Sequence, residues 1–147
     1  MTIFDAIIAG TAPASIVYRD DHFISFLDIR PMAAGHLLVC PLQAVDTLDQ
    51  LDAPTQAGLW QLAIRLATAQ RHALGSRAQH FLVNDGRAAS QSVPHVHIHV
   101  IPRYRRDALP TMGRMIAHVG LRMLPMPVSA RKRAHLDAQA AAIRAAL

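Results

Sequence analysis

The sequence predicts an α+β domain in which a five-stranded antiparallel sheet carries two main helices. Three observations lead there. Five short runs are rich in β-branched and aromatic residues and are bounded by turn signals. Most links between consecutive runs are short, which favours antiparallel pairing. Two longer segments, about 54–74 and 129–147, have helical length and helical caps.

The elements follow in order. Residues 4–10 read as a short helix with Phe4, Ile7 and Ile8 on one face and Gly10 as its stop. Residues 15–18 and 22–27 read as two strands joined by a tight turn at Arg19-Asp20-Asp21. Residues 28–35 form a loop marked by Pro31 and Gly35, and residues 36–40 a third strand ended by Pro41. The long helix over about 54–74 has Asp52 as its cap and Gly75 as its terminator. Its polar residues Gln61, Arg65, Thr68 and His72 fall on one stripe, and nearly everything else is apolar. This predicts two buried sides. Either a second subunit covers one of them, or the helix lies deep within a single chain.

Residues 80–83 give the fourth strand, 84–94 a polar loop, and 95–101 the fifth strand, closed by Pro102. The pattern over 103–127 is irregular. Residues 129–147 read as an Ala-rich terminal helix capped by Ser129. No repeat or linker divides the chain, so residues 1–147 are expected to be one domain.

Composition bounds the function. With 52% apolar and 17% charged residues the chain is too apolar for disorder. No apolar run approaches the roughly 18 residues of a membrane span, and residues 1–5 carry no secretory signature. The single cysteine, Cys40, has no internal disulfide partner, so a cytoplasmic location is expected. The net charge is +5, and the basic residues are 14 Arg and one Lys. Such a balance favours anionic ligands. All ten acidic residues are Asp, so a glutamate base is excluded.

The chemistry concentrates in His95-Val96-His97-Ile98-His99-Val100-Ile101. A strand alternates its side chains, so the three imidazoles share one face and Val96, Ile98 and Val100 the other. Successive histidines then lie about 6.5 Å apart. Three readings stand side by side: a metal site, a set of structural hydrogen-bonded histidines, and a catalytic row on a phosphate. The metal reading meets a geometric difficulty. Three residues in line span about 13 Å, whereas zinc draws its nitrogens to about 2 Å from several directions. The loop Asn84-Asp85-Gly86-Arg87-Ala88-Ala89-Ser90-Gln91-Ser92 adds donors that could hold phosphate oxygens, which raises the third reading. No Walker loop is present.

These residues closely resemble the histidine triad (HIT) family of nucleotide hydrolases and transferases. The match runs through Ile3 to Gly10, Phe26-Leu27-Asp28-Ile29-Arg30-Pro31, Gly35-His36-Leu37-Leu38-Val39-Cys40-Pro41, Asn84-Asp85-Gly86, Gln91-Ser92-Val93, the triad and Ile101-Pro102-Arg103. It covers about residues 1–105. The resemblance implies a homodimer with a continuous sheet and a nucleotide substrate. It implies that His97 is the nucleophile that forms a nucleotidyl-imidazole, and that His99 contacts the scissile phosphate and leaving group. His95 and His36 would be supporting histidines. Gln91 and Ser92 would contact the phosphate and leaving group, Asp28 the ribose hydroxyls, and Asn84 the ribose and phosphate. Ile3, Phe4, Ile7 and Ile29 fall where the family lines its base pocket. His99 stands where the sugar-phosphate transferase branch carries glutamine, so water is the expected acceptor.

The expected activity is release of a nucleoside monophosphate from a dinucleoside polyphosphate or a nucleoside phosphoramidate. The alternative is a nucleotide-binding or sensing protein with negligible turnover. No cofactor is expected to be required, and a divalent cation would arrive with the substrate. Neither a membrane nor a specific nucleic acid is expected as partner.

Two departures from the family pattern are visible. Many bacterial members carry N-terminal zinc-site cysteines where Ile3-Phe4-Asp5-Ala6-Ile7 stands here, so no such zinc is expected. Ser90 replaces a common glycine, which would stiffen the phosphate loop. Residues 106–147 match nothing assignable. Elsewhere the plainer readings hold. Cys40 reads as a small core residue, and Asp28 could serve only as a turn cap. His22, His72, His80, His118 and His135 read as ordinary histidines, and Arg131-Lys132-Arg133 as a solvated cationic face.

Overall fold

The computed structural model describes residues 1–120 and 127–147, with side chains for all of these except 118–120. The elements are α1 (Ile3–Ile8), β1 (Ile16–Arg19), β2 (Phe23–Leu27), β3 (Leu37–Pro41), α2 (Ala53–Leu74), β4 (Ala78–Leu82), β5 (Ile98–Arg103), α3 (Ala108–Gly120) and α4 (Ala130–Ala145). The five strands form one antiparallel sheet in the order β1-β2-β3-β5-β4. This is the α+β architecture the sequence predicts.

Local chemistry sets the ends. α1 starts one residue earlier than the sequence suggests, because Thr2 and Asp5 close a capping box. The Thr2 hydroxyl accepts the Asp5 N–H at 3.1 Å, and the Asp5 carboxylate accepts the Thr2 N–H at 2.6 Å. In the β1–β2 turn, Asp20 accepts the N–H groups of His22 and Phe23 at 2.8 and 2.7 Å. For α2, Asp52 accepts the Thr55 N–H at 2.8 Å, and Gly75 ends the helix at φ +70°. Ser129 caps α4 through the Lys132 N–H.

One sheet face packs on α2 and α4. Val17, Leu27, Leu37, Val39, Ile98 and Val100 meet Leu59, Leu62 and Leu66 of α2 and Leu136 and Ile143 of α4. Each fully buried aliphatic side chain here contributes about 1.5–3 kcal/mol. The opposite face packs on α1, where Phe4 and Ile7 meet Ile24, Phe26, Leu38 and Cys40. Burial pushes the Cys40 thiol up, far from a reactive thiolate. Cys40 is a core residue, as read.

Three expectations need correction. The fifth strand starts at Ile98, not at residue 95. β4 ends at its Leu82↔His99 pair, and β3, though it runs on to Pro41, pairs with β5 only from Val39↔Ile98 onward, so the chain before Ile98 leaves the ladder. It turns instead, with the His95 N–H on the Val93 carbonyl and the Val96 N–H on that of Val45. Pro102 belongs to β5 rather than closing it, facing Gln79 beyond the last β3 partner, whereas Pro41 does end β3 as its last residue. Residues 103–127 are not wholly irregular, because α3 occupies 108–120. Pro110 falls in its first turn, where a missing N–H costs nothing. Residues 121–126 of that stretch, and the His118 side chain, lie outside the described residues.

The two-sided burial expected of the long helix is half met within the chain. Leu59, Leu62, Ala63 and Leu66 are buried, while Trp60 and Ile64 are 38% and 57% exposed beside Phe81 of β4. None of the described helices is long and apolar enough to cross a membrane.

Candidate active site

A cavity of about 330 Å³ opens on the α1 side of the sheet, within the few hundred cubic ångströms typical of small-molecule sites. His97 and His99 line it together with Asp28, Ser92, Phe4 and Ile29. The sheet explains the assembly: His99 is on β5, Leu38 on β3 and Phe26 on β2, all on one face, with α1 as a wall.

The hydrogen bonds assign the protons. His97 Nδ1 donates to the His95 carbonyl at 2.7 Å, so the lone pair of this ring sits on Nε2. The Met32 N–H donates to His36 Nδ1 at 3.2 Å. That leaves the His36 proton on Nε2, which donates to His99 Nδ1 at 2.9 Å. The His99 proton is therefore on Nε2. The His97 and His99 rings stand 4.9 Å apart, one a lone-pair donor and the other an N–H donor. All four rings are at most 2% exposed.

His95 supports this arrangement through its backbone rather than from the cavity wall. Its Nε2 donates to the Pro41 carbonyl at 2.9 Å, and its Nδ1 lies 3.4 Å from the Asp5 carboxylate. The Thr2 backbone N–H holds the Asp5 carboxyl below its usual range, so Asp5 carries its charge beside that ring. Phe4 packs edge-on against both His95 and His97, with ring centres 5.9 and 5.1 Å away.

The expected binding residues divide. Asp28, Ile29, Ser92, Phe4, Ile3 and Ile7 line the cavity. Asp28 also fulfils its turn role, since it accepts the Arg30 N–H at 2.8 Å. Gln91 does not reach the cavity. Its amide is taken up by backbone, accepting from Gly86 N at 2.8 Å and donating to the Asp46 carbonyl at 2.7 Å. Half-buried Asn84 is not among the lining residues either. Ser90 sits at φ +66°, in the left-handed region where glycine carries no penalty.

Arg133 lines the cavity although the cationic run 131–133 reads as a solvated face. It shares its helical stripe with buried Leu136, Ala140 and Ile143, at spacings of three, seven and ten. That periodicity was the available signal.

Asp28, His36 and His99 form a cluster whose potential ligand atoms lie within 4.8 Å of one another. Both His36 nitrogens are engaged, one by the Met32 N–H and one in the bond to His99, and a cation would have to displace them.

The HIT domain profile matches residues 9–106. An uncharacterised HIT-like protein of Mycobacterium tuberculosis is 46% identical over 109 residues, covering 73% of this chain and 74% of that one. An adenylylsulfatase of Arabidopsis thaliana is 36% identical over 107 residues, 73% of this chain and 54% of that one. The purine nucleoside phosphoramidase of Escherichia coli is 31% identical over 121 residues, 82% of this chain and 97% of that one. Among solved structures, a zinc-bound histidine triad family protein from Mycobacterium smegmatis superposes with a TM-score of 0.73 at 34% identity, covering 99% of this chain and 96% of that one. The chain belongs to the HIT family, a histidine triad family with nucleotide-binding and hydrolase members.

Proposed function

We propose that this protein hydrolyses a nucleoside phosphoramidate or a dinucleoside polyphosphate, releasing a nucleoside monophosphate through a covalent intermediate on His97. The observation that carries the reading is the proton assignment: a lone pair on His97 Nε2 beside a proton on His99 Nε2, with ring centres 4.9 Å apart. The likeness to a phosphoramidase over 97% of that enzyme's length makes a phosphoramidate the first substrate to try.

The chemistry runs in two displacements. His97 Nε2 attacks phosphorus and forms an N–P bond, while the P–X bond breaks and its electron pair leaves with X. The His99 Nε2–H hydrogen-bonds the leaving atom: a phosphate departs as the anion, and an amine departs neutral after taking a proton from solvent. Positive charge grows on His97 as negative charge grows on the leaving group, which the His99 Nε2–H stabilises. Water then attacks phosphorus, the N–P bond breaks with its electron pair returning to His97 Nε2, and the water proton passes to solvent. His36 steadies His99 throughout, and Asp28, in the cavity lining, accepts the ribose hydroxyls. Ile3, Ile7 and Phe4 offer an apolar bed for a base.

We further infer a homodimer that extends the sheet. β4 ends the strand order, and Trp60, Ile64 and Phe81 leave an apolar patch next to it.

Turnover of adenosine and guanosine 5′-phosphoramidates tests the reading. The native chain should release nucleoside monophosphate, and His97→Ala should lose more than about 10³-fold. Tight nucleotide binding without product from either substrate class would replace the hydrolase with a sensing protein.

A further inference from the structure

The cavity lining contains two arginines, Arg30 and Arg133, that the hydrolytic chemistry does not use. Arg133 reaches the cavity from α4, in a lining it shares with Ile3, Ile7 and Pro13. Its guanidinium is held in place: Nη1 donates to the Ser15 hydroxyl at 3.3 Å, and Nη2 donates to the Pro13 carbonyl at 3.4 Å. Ser15 is itself fixed, donating to Asp137 at 2.6 Å. These two contacts are long and use two of the five N–H donors of an arginine. Among the described residues no carboxylate lies within ion-pair distance of it. A half-buried guanidinium beside an apolar surface, with donors to spare, is suited to an acceptor that arrives with the ligand.

Its distance from the histidines says which part of the ligand. Ser15 precedes β1, and its carbonyl accepts the Leu27 N–H at the end of β2. From β5 to β1 the sheet crosses three strand spacings, about 14 Å. A nucleotide with phosphorus at His97 and ribose over Asp28 therefore brings the edge of its base, not a phosphate, towards Arg133. Ile3 and Ile7 would bury the flat faces of the base, and the guanidinium would meet its rim.

We propose that Arg133 selects a 6-oxopurine, guanine first, as the base of the substrate. Guanine presents O6 and N7 as adjacent acceptors that a guanidinium engages with two parallel hydrogen bonds, whereas adenine presents a donor at the 6-position. Such a pairing discriminates about 5- to 150-fold. This inference rests on the nucleotide-binding reading above, but not on turnover.

Calorimetry with GMP, IMP and AMP on the native chain is the first arm. GMP and IMP should bind within about threefold of each other, and both 5- to 150-fold tighter than AMP. The second arm is the ratio of kcat/KM for guanosine over adenosine phosphoramidate in the native chain, Arg133→Met and Arg133→Lys. In Arg133→Met the ratio should fall to within about threefold of unity, with the loss falling on guanosine. Equal binding of GMP and AMP by the native chain overturns the proposal. So does a variant that lowers both substrates alike, the behaviour of a residue that merely clamps α4 to β1. If Arg133→Met does not fold, the native selectivity and Arg133→Lys still decide. Selective GMP binding without turnover would sustain this inference while removing the hydrolase reading, and binding of no nucleotide would remove both.

Discussion

Replacing His36 with leucine tests the relay behind the active histidine. The ring is fully buried and lies between two buried partners, the Met32 N–H and His99 Nδ1. Leucine fills similar space and offers neither bond. Two buried polar groups lose their bonds to this ring at about 1–3 kcal/mol each, so His36→Leu should cost about 2–6 kcal/mol of folding stability. In the reaction, the leaving group gathers negative charge against the His99 Nε2–H, which the bond from His36 holds in that tautomer. A hydrogen bond to a charged group is worth about 1.5–3 kcal/mol, which corresponds to about 10- to 150-fold in kcat. Urea titration measures the first quantity and single-turnover kinetics the second. A double-mutant cycle with His99→Asn isolates the coupling, which should be non-additive by a similar amount. A kcat within threefold of native, in a chain that remains folded, would refute the relay.

Ser90 pays for a left-handed backbone at φ +66°, so Ser90→Gly should raise stability by up to about 1 kcal/mol; thermal unfolding checks it, and a loss would show that the hydroxyl matters more than the strain. Asp107 is held down to about 2, first by its bonds from the Arg103 side chain. A depressed carboxyl stabilises above its unfolded value near 3.8 and loses that contribution as pH falls towards 2. The native chain should therefore lose its advantage over Asp107→Asn between about pH 4 and 2 in acid titrations, and parallel curves would contradict the assignment. Ile64→Glu places a charge in the patch with Trp60 and Phe81, and should shift sedimentation from dimer to monomer while leaving far-ultraviolet circular dichroism unchanged; an unchanged sedimentation coefficient would place the interface elsewhere.

Most of the sheet and both main helices can be read from local chemistry, because caps and turns are written in single residues. Asp52 and Gly75 bracket α2, Ser129 starts α4, and Asp20 makes the first hairpin. The errors occur where partners decide. His95 and His97 alternate as a strand would, yet β4 ends at Leu82, and the β3 ladder stops at Val39↔Ile98 although β3 runs on to Pro41, whose carbonyl takes the His95 ring instead. α3 was hidden by Pro110, Gly113 and Gly120, and by an apolar stripe of Leu109, Met112 and Ile116 that stays exposed. The triad points to the site, but its proton assignments depend on Met32 and on the His95 carbonyl, backbone groups that side-chain patterns do not reveal. Gln91 carries a phosphate contact's chemistry in sequence but spends its amide on Gly86 and Asp46. Arg133 looked solvated because its neighbours Arg131 and Lys132 are exposed, while its own stripe leads into the core.

The stereochemical course at phosphorus tests the covalent step most directly. A nucleoside phosphoramidate made chiral at phosphorus with sulfur, hydrolysed in oxygen-18 water, reports how many in-line displacements occur. Attack by His97 followed by water inverts the centre twice, so net retention is expected. Net inversion would mean that water attacks in a single step, and His97 would not be the nucleophile.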